Sequence, residues 1–305
     1  MPVSAPHQMP AGEDQATLLL SVDFEDWHQL VRRRIGVSGW EQPGPALRRQ
    51  TESLLALLDE LGVRATFFIL GMAARSHPQL VEAAAARGHE IGCHGDAHVP
   101  VHQQTAGEFA ADLRAARKTI ESLTGHRPVG YRAPAFSITR DTPWAYDALV
   151  EEGFAYDASQ HDSPRIRRRV VSTSAAPHPL ECSRGTLWEF PVAVWRRGEQ
   201  ARVPVGGSSY WAVMPTAMVL KGLRAAGPLA GLYLHPHELD PEQLDPLLPP
   251  SATAAQRAHG AARAAQRNLA RSRAAEVLRA IARRHRLIPY GEAHARLSDG
   301  ARARP

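Results

Sequence analysis

The chain has 305 residues, of which 44% are hydrophobic and 22% are charged, as is usual for a soluble globular protein. This length suffices for one α/β barrel, and no segment reaches the roughly 18 consecutive apolar residues that a membrane-spanning helix requires. The formal net charge is +5, with arginine supplying nearly all of the positive charge, and two cysteines are too few for a disulfide framework.

The first 15 residues are polar and contain three prolines, without the basic start and apolar core of a signal peptide. We therefore expect a disordered N-terminal tail at 1–15 and a cytoplasmic protein. The modest positive charge is weak support for an anionic partner, and we expect no nucleic-acid partner.

The first predicted strand, residues 17–22, is almost continuously apolar, which is typical of a strand buried on both faces of a parallel sheet. Three acidic residues, Asp23, Glu25 and Asp26, follow where this strand should end. Ionised carboxylates at that position need a cation or hydrogen bonds to offset the cost of leaving water. A solvated acidic turn is the alternative interpretation.

Strands and helices alternate through the rest of the first half. After a predicted binding loop at 29–44, the pattern predicts helices at 46–61, 78–87, 105–123 and 143–152. It predicts the intervening strands at 64–70, 89–93, 129–131 and 154–157. This repeated alternation with short connections indicates an α/β fold with a parallel sheet.

The second half is less regular. It contains a long connection at 160–185 with an arginine run at 165–169, followed by predicted elements: a strand at 187–195, a loop at 206–210, a helix at 215–226 and a core strand at 231–234. An arginine-rich helix is predicted at 262–286, with a solvated face or, alternatively, a peripheral contact with anionic lipid or a charged glycan. No linker is evident, so we expect one catalytic domain at 16–295 and a tail at 296–305.

Polar groups follow four of the predicted strands. They are the acids after residue 22, His94 and His98, Arg132, and the pair His235 and His237. In a parallel barrel the carboxyl ends of all strands open on one face, where active sites lie. Two histidines four residues apart, together with carboxylates from another strand end, form a candidate site for a divalent metal with an open position.

The order of these motifs resembles the polysaccharide deacetylases, that is, carbohydrate esterase family 4 or the NodB homology domain. The motifs are D-x-E-D at 23–26, H-x-x-x-H at 94–98, R-x-P at 132–134 and L-H-P at 234–236. The sequences SVDFEDWH and YLHPHE resemble a branch often associated with exopolysaccharide loci. The resemblance implies a distorted barrel of parallel strands, a divalent metal, usually Zn²⁺, and hydrolysis of an N-acetyl group from an amino sugar.

Carried over by position, the resemblance implies that Asp23 is the general base, held by Arg132, and that His235 is the acid that protonates the leaving amine. It implies that His94 and His98 are metal ligands. These roles are chemically coherent, since the base takes a proton from water while the acid supplies one to the amine.

The third metal ligand is less certain from the motif, because the family usually has two adjacent aspartates. Glu25 is preferred since residues 23 and 25 of an extended strand face the same side, and Asp26 is the alternative. Gly95 replaces the usual Ser or Thr after the first metal histidine. Trp27 and Trp188 are candidate sugar-stacking residues, with a place in the core as the alternative for each.

These features predict a metal-dependent N-deacetylase acting on an amino-sugar glycan or its precursor. One alternative is a deformylase or deacetylase of a lipid- or nucleotide-linked amino sugar. Another is a catalytically silent carbohydrate-binding relative, although binding alone would not require a base, an acid and a set of metal ligands.

Overall fold

The computed structural model describes residues 16–164, 169–171, 174–198, 201–269 and 271–302. Its strands are β1 Thr17–Phe24, β2 Thr66–Ile69, β3 Glu90–Cys93, β4 Gly130–Tyr131, β5 Tyr156–Asp157, β6 His178–Cys182, β7 Gly185–Glu189, β8 Val194–Arg197, β9 Ala201–Pro204, β10 Gly231–Leu234 and β11 Arg286–Ile288. Its helices are α1 Trp27–Arg34, α2 Leu47–Leu61, α3 Gly71–Ser76, α4 Pro78–Ala86, α5 Ala106–Thr124, α6 Trp144–Glu151, α7 Ser208–Trp211, α8 Thr216–Ala226, α9 Ala254–Asn268, α10 Arg273–Ala282 and α11 Tyr290–Arg302. The predicted tail at 1–15 and the arginines at 165–168 lie outside the described residues.

A curled, mostly parallel sheet organises the fold. Its strand order is β10-β1-β2-β3-β4-β5-β7-β6, and β11 also pairs with β1. All pairings in this sheet are parallel except that of β6 with β7, which form an antiparallel hairpin at one end. The predicted α/β class and distorted barrel of parallel strands are thereby confirmed.

The two sides of the sheet bury different sets of residues. Along β1, Leu18, Leu20 and Val22 join the large core between the sheet and the helices. Leu19 instead faces a smaller cluster on the concave side, which also contains Phe68 from β2. Because side chains alternate along a strand, Leu19 shares its side with residues 21 and 23. Asp23 therefore emerges on the concave side, at the carboxyl end of the sheet.

The segment that follows β7 contacts the start of β10, which lies at the opposite end of the sheet. Ala193 N donates to the carbonyl oxygen of Gly231 over 2.8 Å, and Gly231 N donates to that of Pro191 over 3.1 Å. These bonds bring the segment after β7 against β10, so the carboxyl ends of the strands surround one shared opening.

Several segments differ from the sequence predictions. Residues 29–34, predicted as loop, belong to α1, which begins after the N-cap Asp26. The prediction of a single arginine-rich helix at 262–286 is wrong. This range contains the end of α9, all of α10 and the first residue of β11. The Asn268 side chain bonds both backbone groups of Leu244 at 2.9 Å, which ties the end of α9 to the preceding extended segment.

The C-terminal tail predicted from residue 296 is also different. Helix α11 continues through that position to Arg302. It follows β11, which pairs with β1, so this end of the chain is attached to the central sheet. In the described part of the chain, no helix is sufficiently long and apolar to cross a membrane.

Candidate active site

The structure brings the predicted polar groups to one edge of the sheet because each follows a parallel strand. Asp23 lies near the end of β1 and Glu25 just after it, while His94, Arg132 and His235 immediately follow β3, β4 and β10. Backbone ladder bonds extend beyond the strands, as from His94 N to Ile69 O and from Arg132 N to Cys93 O, both 2.9 Å. The strand ends themselves therefore set the positions of these side chains.

Asp23 and Arg132 form a fully buried ion pair. Arg132 Nη1 donates to Asp23 Oδ1 over 2.8 Å and to Ser21 Oγ over 2.6 Å, and its Nε donates to Ala158 O over 2.9 Å. The guanidinium group is 0% exposed. Burial would lower its pKa, but the carboxylate of Asp23 raises it above the ordinary value. Arg132 thus remains charged and holds one carboxylate oxygen of Asp23, leaving Oδ2 toward the opening.

Glu25, His94 and His98 form a compact group at the next position. Glu25 Oε2 lies 3.0 Å from Nε2 of His98 and 3.6 Å from Nε2 of His94. One ligand atom from each residue lies within 4.8 Å of the others, which is close enough to hold a metal ion. Burial would raise the pKa of Glu25, but His98 and His94 lower it well below its ordinary value. An ionised carboxylate and two imidazole nitrogens therefore face one point.

A backbone carbonyl orients the ring of His94, and His98 has an unusual backbone conformation. His94 Nδ1 lies 2.8 Å from the carbonyl oxygen of Arg132, and a proton on Nδ1 donating there would leave the lone pair of Nε2 directed at Glu25. His98 has a φ of 54°, in the left-handed region that non-glycine residues seldom occupy. Such strain is concentrated at functional sites.

Gly95 stands where the motif usually has a Ser or Thr hydroxyl, and steric crowding explains the glycine. Its φ is 77°, and a Cβ there would lie 2.8 Å from a carboxylate oxygen of Asp112. That carboxylate accepts from the backbone N–H of Asp96 at 2.9 Å and of Ala97 at 3.3 Å. Asp112 therefore holds the loop between the two histidines, and a larger residue at 95 would displace it.

Asp26 points away from the group formed by Glu25, His94 and His98. It is the N-cap of α1, accepting from His28 N at 2.8 Å and from Gly44 N at 2.6 Å. Burial would raise its pKa, but the hydrogen bonds from His28 and Gly44 lower it. In this structure Asp26 fastens the start of α1 to the loop before α2, whereas Glu25 lies beside His94 and His98.

His235 completes the opening from the other side. Its Nε2 lies 3.9 Å from Asp23 Oδ2 and 3.5 Å from Glu25 Oε1. Its Nδ1 lies 3.2 Å from Glu238 Oε2. Burial would lower the pKa of His235, but Glu238 opposes this effect and the pKa is raised to about 9. A protonated imidazole is thus favoured beside Asp23.

His237 and Trp27 are core residues. Neither ring nitrogen of His237 has a hydrogen-bond partner among the residues that the structure describes. Burial and the neighbouring His235 lower the pKa of His237 to about 3. Trp27 is 6% exposed and packs with Val31 and Leu244, so the structure offers no open ring face there for a sugar. Trp188 is partly buried against the concave-side cluster, and its role in substrate binding stays a prediction.

Two residues of the site carry no recognisable sequence signal. Tyr290 Oη accepts from Arg132 Nη2 at 3.0 Å, although 158 positions separate the two residues. Ser21 lies in an otherwise apolar strand, and its Oγ donates to Leu232 O over 2.7 Å. Glu238 lies three positions after His235, close to the L-H-P motif. Its negative charge beside this motif is the sequence signal that could have identified it as a residue of the site.

Two regions of the chain match known families. Residues 41–150 match Polysaccharide deacetylase, and residues 162–284 match a domain of unknown function, DUF3473. Arg132, His94 and His98 lie in the first region, and His235 and Glu238 lie in the second.

Curated relatives point to the same family. A peptidoglycan deacetylase-like protein of Gibberella zeae is 31% identical over 50% of this chain and 46% of its own length. A peptidoglycan deacetylase of Helicobacter pylori is 27% identical over 63% of this chain and 62% of its own length. This chain therefore matches about half to three fifths of the length of these relatives.

The fold has a solved counterpart along nearly its whole length. The crystal structure of a presumed polysaccharide deacetylase from Mycobacterium smegmatis superposes with a TM-score of 0.61, covering 97% of this chain and 96% of that one. At 20% sequence identity this likeness concerns the fold. Residues 41–150 thus match the polysaccharide deacetylase family, the curated relatives carry related descriptions, and the fold is that of the Mycobacterium smegmatis structure.

Proposed function

We propose that this chain is a metal-dependent N-deacetylase that removes acetyl groups from an amino-sugar glycan or from its precursor. The observation that carries the proposal is the convergence of three kinds of group on one opening. Asp23 lies beside Arg132, the metal-binding group of Glu25, His94 and His98 is adjacent, and His235 faces both acids.

The donor set suits a divalent cation such as zinc. Two imidazole nitrogens and one carboxylate are a common set of three protein ligands, leaving further coordination positions for water and substrate. The hydrogen bond between His94 Nδ1 and a backbone carbonyl is the supporting contact that metal-binding histidines typically make. When bound there, the cation would polarise the acetyl carbonyl and lower the pKa of water.

Asp23 is proposed to act as the general base through Oδ2, because Oδ1 is occupied by Arg132. It would take a proton from the water that attacks the acetyl carbonyl carbon. His235 would donate its Nε2 proton to the amide nitrogen as the carbon–nitrogen bond breaks. The two proton transfers leave acetic acid, which ionises to acetate on release, and a free amine.

The proposed substrate class rests on the descriptions of the curated relatives. One relative is described as a peptidoglycan deacetylase and the other as peptidoglycan deacetylase-like, so N-acetylated amino sugars are the substrates proposed for this chain. We further propose that residues 16–302 act as one catalytic domain, since His94 of the first matched region and His235 of the second both lie against Glu25.

The direct test is acetate release from N-acetylglucosamine oligosaccharides and from peptidoglycan fragments. Wild-type protein loaded with zinc should release acetate, and removal of the metal by a chelator should abolish the release. Formate release from N-formyl analogues, measured in parallel, would favour the deformylase alternative. A zinc-loaded protein that binds these glycans without releasing either acid would contradict the proposed activity.

A further inference from the structure

The ring nitrogen Nδ1 of His235 contacts a carboxylate from the second matched region, residues 162–284. The description of that family states no function. Nδ1 lies 3.2 Å from Oε2 of Glu238, and the backbone N–H of His235 donates to the same oxygen over 2.8 Å. Both residues fall within 162–284. The acid half of the site therefore has its own supporting carboxylate, separate from Asp23 and Glu25.

Glu238 is itself held by several donors. Ser208 Oγ donates to Oε2, and Ser209 Oγ donates to Oε1 over 2.5 Å. Arg267 Nη1 donates to Ser209 Oγ over 2.6 Å and lies 3.9 Å from Oε1. Since Glu238 is 6% exposed, these contacts hold an almost fully buried carboxylate in one orientation.

The close approach of α7 to β10 explains how the two serines reach Glu238. The backbone N–H of Tyr233 donates to Gly206 O over 2.8 Å. A Cβ on Gly206 would lie 2.6 Å from Gly231 O, and one on Gly207 would lie 2.6 Å from the Tyr233 ring. Only glycine permits this approach, which places the first turn of α7 against the segment that follows β10.

We propose that Glu238, fixed by Ser208, Ser209 and Arg267, is a positioning residue that keeps the proton of His235 Nδ1 and directs Nε2–H at the leaving nitrogen. Assembling this acid half of the site is then a function of the 162–284 region. A carboxylate that accepts from one imidazole nitrogen selects the orientation of the ring and the tautomer in which the other nitrogen faces the substrate.

A second metal site is the competing interpretation, because His235, His237 and Glu238 also have ligand atoms within 4.8 Å of one another. The contacts of Glu238 argue against it. Its Oε2 already faces one serine hydroxyl, one backbone N–H and one imidazole nitrogen. A cation bound there would have to displace these donors.

The inference rests on the proposed amide hydrolysis. Its test compares two substrates whose leaving groups differ in their need for a proton. An amine must be protonated to depart, whereas 4-nitrophenolate departs without a proton. In Glu238→Gln, kcat for deacetylation of N-acetylchitooligosaccharide should fall by about tenfold to a hundredfold, with KM nearly unchanged. Hydrolysis of 4-nitrophenyl acetate should fall by less than about threefold. An equal fall for both substrates would overturn the inference.

Two further variants separate positioning from folding. Ser208→Ala removes one donor to Glu238 and should give the same amide-selective loss on a smaller scale. Asp240→Asn alters another buried carboxylate of the same segment, which binds Arg49 and Gln50 instead of His235. It should change the two rates in equal proportion, whatever its effect on stability.

Nitrogen NMR of histidine-labelled, zinc-saturated wild-type protein gives a readout independent of turnover. The His235 signals, identified by their loss in His235→Asn, should show a protonated Nδ1. A deprotonated Nδ1, or zinc bound to it, would overturn the inference even if Glu238→Gln failed to fold. Absence of acetate release by wild-type protein would instead contradict the proposed function, and the NMR result would still decide the role of Glu238.

Discussion

Asp23 and His235 both stand at the ends of parallel strands, but the groups that hold them come from different parts of the chain. Asp23 is bound by Arg132, which follows another strand of the same sheet. His235 is bound by Glu238, which is in turn held from α7 and approached by Arg267 of α9. The half of the site that contains the proposed base Asp23 (the base half) therefore depends on the sheet. The half that contains the proposed acid His235 (the acid half) depends on helices packed beside it.

This difference predicts which changes should disturb one half and spare the other. Sheet register places Asp23 and Arg132 directly, so substitutions there should affect chemistry and stability together. Changes near Glu238 should affect the proposed acid His235 while leaving the three proposed metal ligands in place. The variants that follow test this separation.

The largest effect is expected from Asp23→Asn. This change removes the proposed base while keeping a side chain of the same size, so turnover should fall by roughly 10² to 10⁴. Zinc content should remain near that of the wild type, because Asp23 is not among the three proposed ligands. Acetate assays and metal analysis on the same sample would check both statements, and loss of zinc together with activity would place Asp23 among the ligands.

Arg132→Met should be the most destabilising change in the base half. It leaves the carboxylate of Asp23 buried without its partner, which typically costs about 3 to 5 kcal/mol. Urea unfolding followed by circular dichroism would measure the loss. Arg75→Met is the matched control, since Arg75 pairs with Asp96 at 2.5 Å but its side chain is 49% exposed. That control should cost no more than about 1 kcal/mol.

Lowering the pH should reduce the free energy of unfolding through His89, a buried histidine next to the strand that leads to His94. His89 Nδ1 accepts from Ala65 N at 3.2 Å, and burial lowers the pKa of His89 to about 4. The unfolded chain binds this proton near pH 6.5 and the folded chain does not. The resulting stability is thus present above pH 6.5 and lost as pH falls toward 4, by roughly 2 to 4 kcal/mol.

The control for this pH dependence is the His89→Gln variant, which lacks the titrating imidazole. The difference in unfolding free energy between wild type and variant should shrink as pH falls from 7 to 4. A difference that stays constant over this range would show that the pKa of His89 is the same in the folded and unfolded chains.

Tyr290→Phe should give the smallest effect, because it removes one hydrogen bond to Arg132 and leaves the ion pair with Asp23. A loss of about 1 kcal/mol is expected. Thr105→Ala should cost about as much by removing the N-cap of α5, whose side chain accepts from Glu108 N at 3.3 Å. Only Tyr290→Phe should also lower turnover, and equal activity in the two variants would limit Tyr290 to a packing role.

The base half was largely readable from the sequence for a physical reason. A parallel strand is an apolar run that ends in polar residues, and the carboxyl ends of such strands meet. Asp23, Glu25, His94 and Arg132 could therefore be grouped from their positions alone. The choice between Glu25 and Asp26 followed from strand alternation, and the N-cap position of Asp26 was not visible because α1 was taken for a loop.

The acid half was less readable because its supporting groups do not follow a pattern. Ser208 and Ser209 lie in a stretch predicted as loop, and their contact with Glu238 depends on the approach of two glycines to β10. Tyr290 reaches Arg132 only because β11 pairs with β1. Such contacts arise from the packing of distant segments, which periodicity along the chain does not encode.

A zinc titration comparing Glu25→Gln with Asp26→Asn tests the central claim most directly. The wild type should bind about one zinc ion per chain, Glu25→Gln should bind at least about tenfold more weakly, and Asp26→Asn should retain nearly wild-type affinity. Competition with a chromophoric chelator would measure all three at one pH. Weaker binding by Asp26→Asn than by Glu25→Gln, or no zinc binding by the wild type, would contradict the proposed metal centre.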